Sequence, residues 1–260
     1  MEWNEYNAPK ALWYLLDHGV FVKSAFKPFV TSDKHSFGYG TLVIPVVDQN
    51  LSVDELHKVV SEAVQLSGVE AFSVNTGFSV EGVDLGSNNI KIITKPKVAM
   101  LVGDGVVSNE AGFVWYLADS KLGMPITKVN TNQFAQLKLQ DYTTLIMVSG
   151  NYTPLGETGI TKLKTWVQQG GSLILVRNAV SWAINAKLIE EQLKKEEEKK
   201  ETPRIDFIEA RDYQGSRGIG GIYLHGRPGH HTSVGLRLLF KKSSRVAKSY
   251  QLSRTFEESI

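Results

Sequence analysis

Three short runs limit the fold more than anything else in this chain: residues 97–102 (KVAMLV), 144–148 (TLIMV) and 172–176 (SLILV). A strand that is wet on one face alternates apolar and polar residues. A run that is apolar throughout needs cover on both faces, which is the mark of a parallel sheet between helices. The intervening segments are helical in pattern. Ser108 or Asn109 is placed to cap a helix running to about Leu122, with Phe113, Trp115, Tyr116 and Leu117 as its bulk. Residues 126–129 form a short strand. Residues 156–169 form a helix closed by Gly170 and Gly171, and residues 179–189 a further helix. Buried strands alternating with helices imply right-handed crossovers in one sheet. The expected class is α/β, with residues 96–223 as a flavodoxin-like doubly wound parallel sheet.

Residues 1–95 read as a smaller α/β segment that precedes it. Residues 8–17 have helical apolar spacing, with Pro9 tolerated in the first turn and Gly19 as the stop. His18 stands at that helix end, where a partly charged imidazole suits the macrodipole. Residues 20–26, 39–47 and 69–74 read as strands, and residues 76–89, rich in Gly, Ser and Asn, as loop. Ser52 and Glu55 have the spacing of a capping box opening a helix to about Leu66, ended by Gly68. Residues 188–203 form a charged excursion. Glu190–Lys194 and Glu191–Lys195 suit solvated helix pairs, and Pro203 ends it. Residues 204–208 read as one more strand.

Composition removes several functions. A net charge of +2 supplies no strong field for nucleic acid or an anionic membrane, and no apolar stretch is long enough to cross a bilayer. The first residues show no signal-peptide pattern. With no cysteine there is no disulfide, thiolate zinc site or cysteine nucleophile. A zinc peptidase needs HxxE or HExxH, but Phe21, Gly38, Val60, Pro228, Ser233 and Val234 follow the six histidines at that spacing. Gly77-Phe78-Ser79-Val80-Glu81 fails the nucleophile-elbow pattern at its last glycine. Gly103-Asp104-Gly105 begins a dinucleotide fingerprint but meets Ser108 where the third glycine belongs; a tight turn explains it without a ligand. His230 and His231 are adjacent, point apart in most backbones, and lack a close third ligand. What remains is a set of polar residues on loops at the carboxyl ends of neighbouring strands, where open α/β sheets bind ligands: Asp104, Ser108, Asn109, Glu110, Asn151 and Tyr152.

Residues 95–152, continued by 159–176 (GITKLKTWVQQGGSLILV), resemble the C-terminal region of large bacterial zinc metallocarboxypeptidases of the carboxypeptidase A superfamily. In those proteins a catalytic domain is followed by a domain like a class I glutamine amidotransferase that lacks the catalytic cysteine. Residues 37–47 and Leu85-Gly86-Ser87 look like the connection between the two. The resemblance implies that the zinc belongs to a catalytic peptidase domain absent from these residues, which is also the implied partner. No cofactor is then expected in this chain, and the parent family is expected to be exported. The turn matching the amidotransferase cysteine is Val176-Arg177-Asn178-Ala179, which has no nucleophile.

The last residues fit the same family only in another reading frame. Plausible codons for residues 225–240 (HGRPGHHTSVGLRLLF), shifted by one base, read TADLDITHPLGFGYYL; residues 250–260 (YQLSRTFEESI) give TNFLEPSKNPY. Motifs like THPL and SKNPY occur in that order near the family's C-terminus. Residues 224–260 are therefore expected to be a frame-shifted tail, poorly ordered or loosely packed. The resulting expectation is a non-catalytic C-terminal fragment of a metallocarboxypeptidase-like protein, acting in structure, substrate positioning or interaction. The alternatives are a small-ligand-binding module near Asp104 and Asn151, and a hydrolase with Ser108 or Ser181 as nucleophile, which would need a base within reach.

Overall fold

A computed structural model describes residues 1–193, 222–225 and 235–237. One sheet has six strands, four parallel and two antiparallel at one side. Its four parallel strands are β7 (Val98–Val102), β8 (Thr127–Asn130), β9 (Thr144–Met147) and β10 (Ser172–Leu175). Taken by themselves, the parallel strands run 2-1-3-4, so the chain reverses direction across the sheet between β7 and β9. This is the flavodoxin-like doubly wound arrangement. The three apolar runs are neighbours, in parallel register Val98 to Thr144 and Leu145 to Leu173. β11 (Ile222–His225) and β12 (Gly235–Arg237) extend the sheet antiparallel beyond β10. Apart from these two strands, the expected frame-shifted tail, with His230 and His231, lies outside the described residues, as do Lys194, Lys195 and residues 204–208.

Each face of the sheet has its own core. On one, Ala99, Leu101, Leu145, Met147, Leu173 and Leu175 meet α4 (Gly156–Gln168) and α5 (Asn178–Asn185) through Leu163, Trp166, Ala179 and Ala183. On the other, Val98, Met100, Ile146 and Val148 lie under α3 (Ser108–Tyr116), which contributes Ala111 and runs on as a π-helical turn, Leu117–Leu122, contributing Ala118. Alternate residues of one strand therefore enter opposite cores, which is why each run is apolar from its second residue onward.

Ahead of the sheet, α1 (Ala8–Asp17) and α2 (Val53–Ser67) pack on an antiparallel sheet of order β4-β1-β6: Leu42–Val43, Val22–Ala25 and Ile90–Ile93. A second small sheet, β3-β2-β5 (Ser36–Phe37, Phe29–Val30, Glu81–Gly82), stacks Phe29 on Phe37 with ring centroids 4.9 Å apart. The capping box forms as expected: the Ser52 hydroxyl accepts from Glu55 N at 3.3 Å, and the Glu55 carboxylate accepts from Ser52 N at 2.9 Å. The bond from Ser52 N, with a second from the Ser52 hydroxyl to the same carboxylate at 2.7 Å, holds the Glu55 carboxyl below its usual range. His18 takes the C-cap of α1, its Nδ1 2.8 Å from Tyr14 O and its ring stacked on Tyr14.

Several local expectations need correction. Residues 69–74 join no sheet; Val69 is buried, but Glu70, Ala71, Phe72 and Ser73 are exposed and no ladder partner reaches them. The strand expected over 39–47 shrinks to Leu42–Val43, because Gly40 turns the chain at φ 84° and Pro45 has no N–H to give a ladder. The helix expected to residue 189 stops at Asn185. Neither Ser108 nor Asn109 caps α3; Val107 holds that position, with no side-chain bond. The bulk assigned to α3 points outward: Phe113, Trp115, Tyr116 and Leu117 are all exposed.

Candidate functional site

The reversal between β7 and β9 places two loops side by side at the carboxyl ends of the strands, where a doubly wound sheet takes its ligands. Here the loops close on each other. Asn151 N donates to Gly105 O at 2.8 Å, and Val107 N donates to Ser149 O at 2.8 Å, with Val106 and Gly150 forming an antiparallel bridge. Glycine makes this approach possible. A Cβ at Gly105 would lie 3.1 Å from Asn151 O, and one at Gly150 would lie 3.0 Å from Gly105 O. Gly103 and Gly105 turn the chain with φ of 98° and 84°. The GxG pair therefore serves a loop-to-loop fit, the tight turn that its sequence allowed.

Glu110 stands at the centre of this end. One carboxylate oxygen accepts from Ser149 N at 2.9 Å; the other is 3.3 Å from Arg177 Nη1. Asn178 Oδ1 accepts from Gly150 N at 2.9 Å. Two helices and two loops are joined through these groups. Arg177 itself has φ 54° and ψ −119°, between the end of β10 and the start of α5. A non-glycine residue held there is strained, and a sharp strand-to-helix turn with that strain is the geometry that presents a nucleophile in elbow-type enzymes. An arginine side chain stands there in place of a hydroxyl or thiol.

The six residues singled out in the sequence separate. Glu110 is bonded as described. Asp104 and Asn109 are exposed, and Asn151 Oδ1 accepts from Thr153 N at 3.1 Å. Tyr152 is fully buried; its hydroxyl donates to Val148 O at 2.7 Å and its ring lies 5.4 Å from that of Trp182. Burial pushes this phenol well above its ordinary pKa, and the Glu110 carboxylate adds to the shift. It is a core residue with a satisfied hydroxyl. Ser108 lines a depression of about 280 Å³ on the other side of α3, floored by Met100 and Val102 and walled by Ala111, Gly112, Trp115 and Lys128. Lys128 Nζ sits 4.4 Å from the Trp115 ring centroid. So the concavity opens between α3 and the edge strand β8, away from Asn151.

The sequence reading named Val176-Arg177-Asn178-Ala179 only as the turn matching the amidotransferase cysteine, and did not count Arg177 and Asn178 among the site residues. The histidines with described side chains, His18, His35 and His57, all belong to the segment before the sheet, so among the described residues none stands beside Ser108 or Ser181 as a base. Among the described residues, no three His, Asp or Glu side chains come together as a metal would need. The described residues therefore offer no ligand set for the zinc of the resembled peptidases. Comparison with known proteins finds no matching family, no matching curated protein and no matching solved structure.

Proposed function

We propose that this chain is a non-catalytic module of a larger protein similar to the zinc metallocarboxypeptidases, built on an amidotransferase-like sheet that holds and positions a neighbour and performs no reaction. One observation carries the reading. At the turn where an amidotransferase presents its cysteine, this chain has Arg177, and the Glu110 carboxylate is shared between that guanidinium and Ser149 N. The loops that would open a ligand crevice are bonded to each other instead. In this reading the partner is a catalytic peptidase domain, which carries the zinc and its ligands. The test is the encoding DNA. A coding sequence for an HxxE-containing peptidase domain is expected upstream. A one-base shift near the codon for Leu224 is expected to open a frame encoding the THPL and SKNPY strings. Upstream DNA without any such domain, together with a confirmed frame through Ile260, overturns the reading.

A second reading is a small-ligand module, favoured by the depression beside Ser108, with Lys128 as the cation at its rim. An apolar carboxylate matches that lining. Chemical-shift changes confined to Met100, Trp115 and Lys128 on titration with such acids are its signature; spectra unchanged at saturating acid exclude it. The hydrolase reading requires a base beside Ser108 or Ser181, and none of the described histidines supplies one.

A further inference from the structure

α3 is apolar on both sides. Its inner side packs on the sheet through Ala111 and Val114. Its outer side carries Phe113, Tyr116 and, in the following turn, Leu117, which are 74%, 50% and 52% exposed. A helix that is hydrophobic all round is ordinarily covered all round, and a contiguous apolar patch left in water marks an interaction surface. Gly112 lies in the same surface. Glycine costs a helix interior about 1 kcal/mol relative to alanine, and nothing among the described residues requires it: its φ is not positive, and a Cβ there would meet none of them within 4 Å. Glycine is of use where another backbone comes close.

We propose that this face is the contact between two copies of the chain, with the two α3 helices crossing antiparallel about a two-fold axis at Gly112 and Phe113. The face supplies both halves of the fit. A two-fold contact demands that if residue i of one copy meets residue j of the other, j also meets i. Phe113, a protruding ring, sits next to Gly112, an open hollow, so each ring covers the other copy's glycine. Charge selects the same direction. Asp104 precedes α3, and the turn that ends it carries Asp119 and Lys121, the lysine Nζ 5.6 Å from the Tyr116 ring centroid; all three are exposed, so only the Asp104 end carries a net charge. Antiparallel crossing brings Asp104 of each copy to the end that carries the other's Lys121, and it opposes the helix dipoles. A parallel crossing sets like ends together. An unrelated partner would have to bring a hollow and a charge pattern that this face already provides for itself.

The contact is small. An aromatic side chain buries roughly 150–250 Å², so these residues supply a few hundred Å² of the ~800 Å² per partner of a standard interface. A reversible dimer with a dissociation constant on the order of tens of micromolar follows. The inference stands apart from the reading of the sheet end and is tested separately.

The test is sedimentation velocity of the full chain from low to high micromolar concentration. A concentration-dependent monomer–dimer equilibrium is expected. Phe113→Asp is expected to weaken it by roughly tenfold or more, with the melting temperature unchanged because the ring is exposed. Asp104→Lys and Lys121→Glu should each weaken it, and the two together should restore it. A chain that stays monomeric throughout overturns the proposal. So does a dimer indifferent to Phe113→Asp, or a charge-swapped pair that fails to recover.

Discussion

Two strand-to-helix turns at the same end of the sheet solve one problem in opposite ways. The turn from β7 to α3 spends five residues, two of them glycines at positive φ, and lies against the β9 loop. The turn from β10 to α5 spends two, and puts Arg177 at φ 54° with no glycine available. The first is relaxed and close-fitting. The second is strained by something on the order of 1–3 kcal/mol, and such strain persists only where the surroundings fix it. They do: Val176 N donates to Met147 O at 2.9 Å, Ala179 N donates to Val176 O at 3.2 Å, and Glu110 reaches the guanidinium. The strand-to-helix elbow is thus held by its surrounding contacts, with an arginine at the strained position.

Four substitutions sharpen this contrast. Met147→Asp attacks the floor beneath both turns; Met147 is fully buried in a strand covered on both faces, and a charge there should cost several kcal/mol and leave little folded protein, read by circular dichroism. Gly103→Ala attacks the relaxed turn. Its Cβ would fall 2.6 Å from Asn130 Cγ at a φ of 98°, so a loss of about 2 kcal/mol is expected in urea unfolding. Glu110→Ala cuts the tie between the turns and leaves Ser149 N without its acceptor, for about 1–3 kcal/mol. Arg177→Gly goes the other way. It relieves the strained backbone and gives up an ion pair whose arginine is 64% exposed, which is worth little. Stability should rise by about 0.5–1 kcal/mol. A glycine at 177 that destabilises the fold would mean that the arginine is held by more than Glu110.

The sheet was legible because its signals are local and redundant. Each of the three apolar runs specifies a strand covered on both faces by itself, and the segments between them specify the helices. The helix from Ala8 to Asp17 and the Ser52–Glu55 box were legible for the same reason: cap and stop lie within a few residues. Residues 69–74 misled because a strand exists only when a distant edge pairs with it, and none does. The outward rings of α3 were illegible because a helix apolar on both sides gives no sign of which side the sheet takes. At the candidate site, Asp104, Glu110 and Asn151 were placed at the right end of the sheet by topology alone. The contacts that define that end, Glu110 with Arg177 and Asn178 with Gly150, join residues far apart in sequence. The strain at Arg177 left no trace either, since the residue type gives no hint of a positive φ.

In the proposed reading this end of the sheet is closed and presents no nucleophile. The most direct test of that reading is hydrolytic turnover by the purified full chain, offered glutamine, an activated ester and a peptide with a free C-terminus, with and without added zinc. Rates equal to the buffer blank are expected, unchanged in Ser108→Ala and Ser181→Ala. Turnover that follows the protein through further purification and disappears in either serine variant, or zinc-dependent release of C-terminal residues, would contradict it.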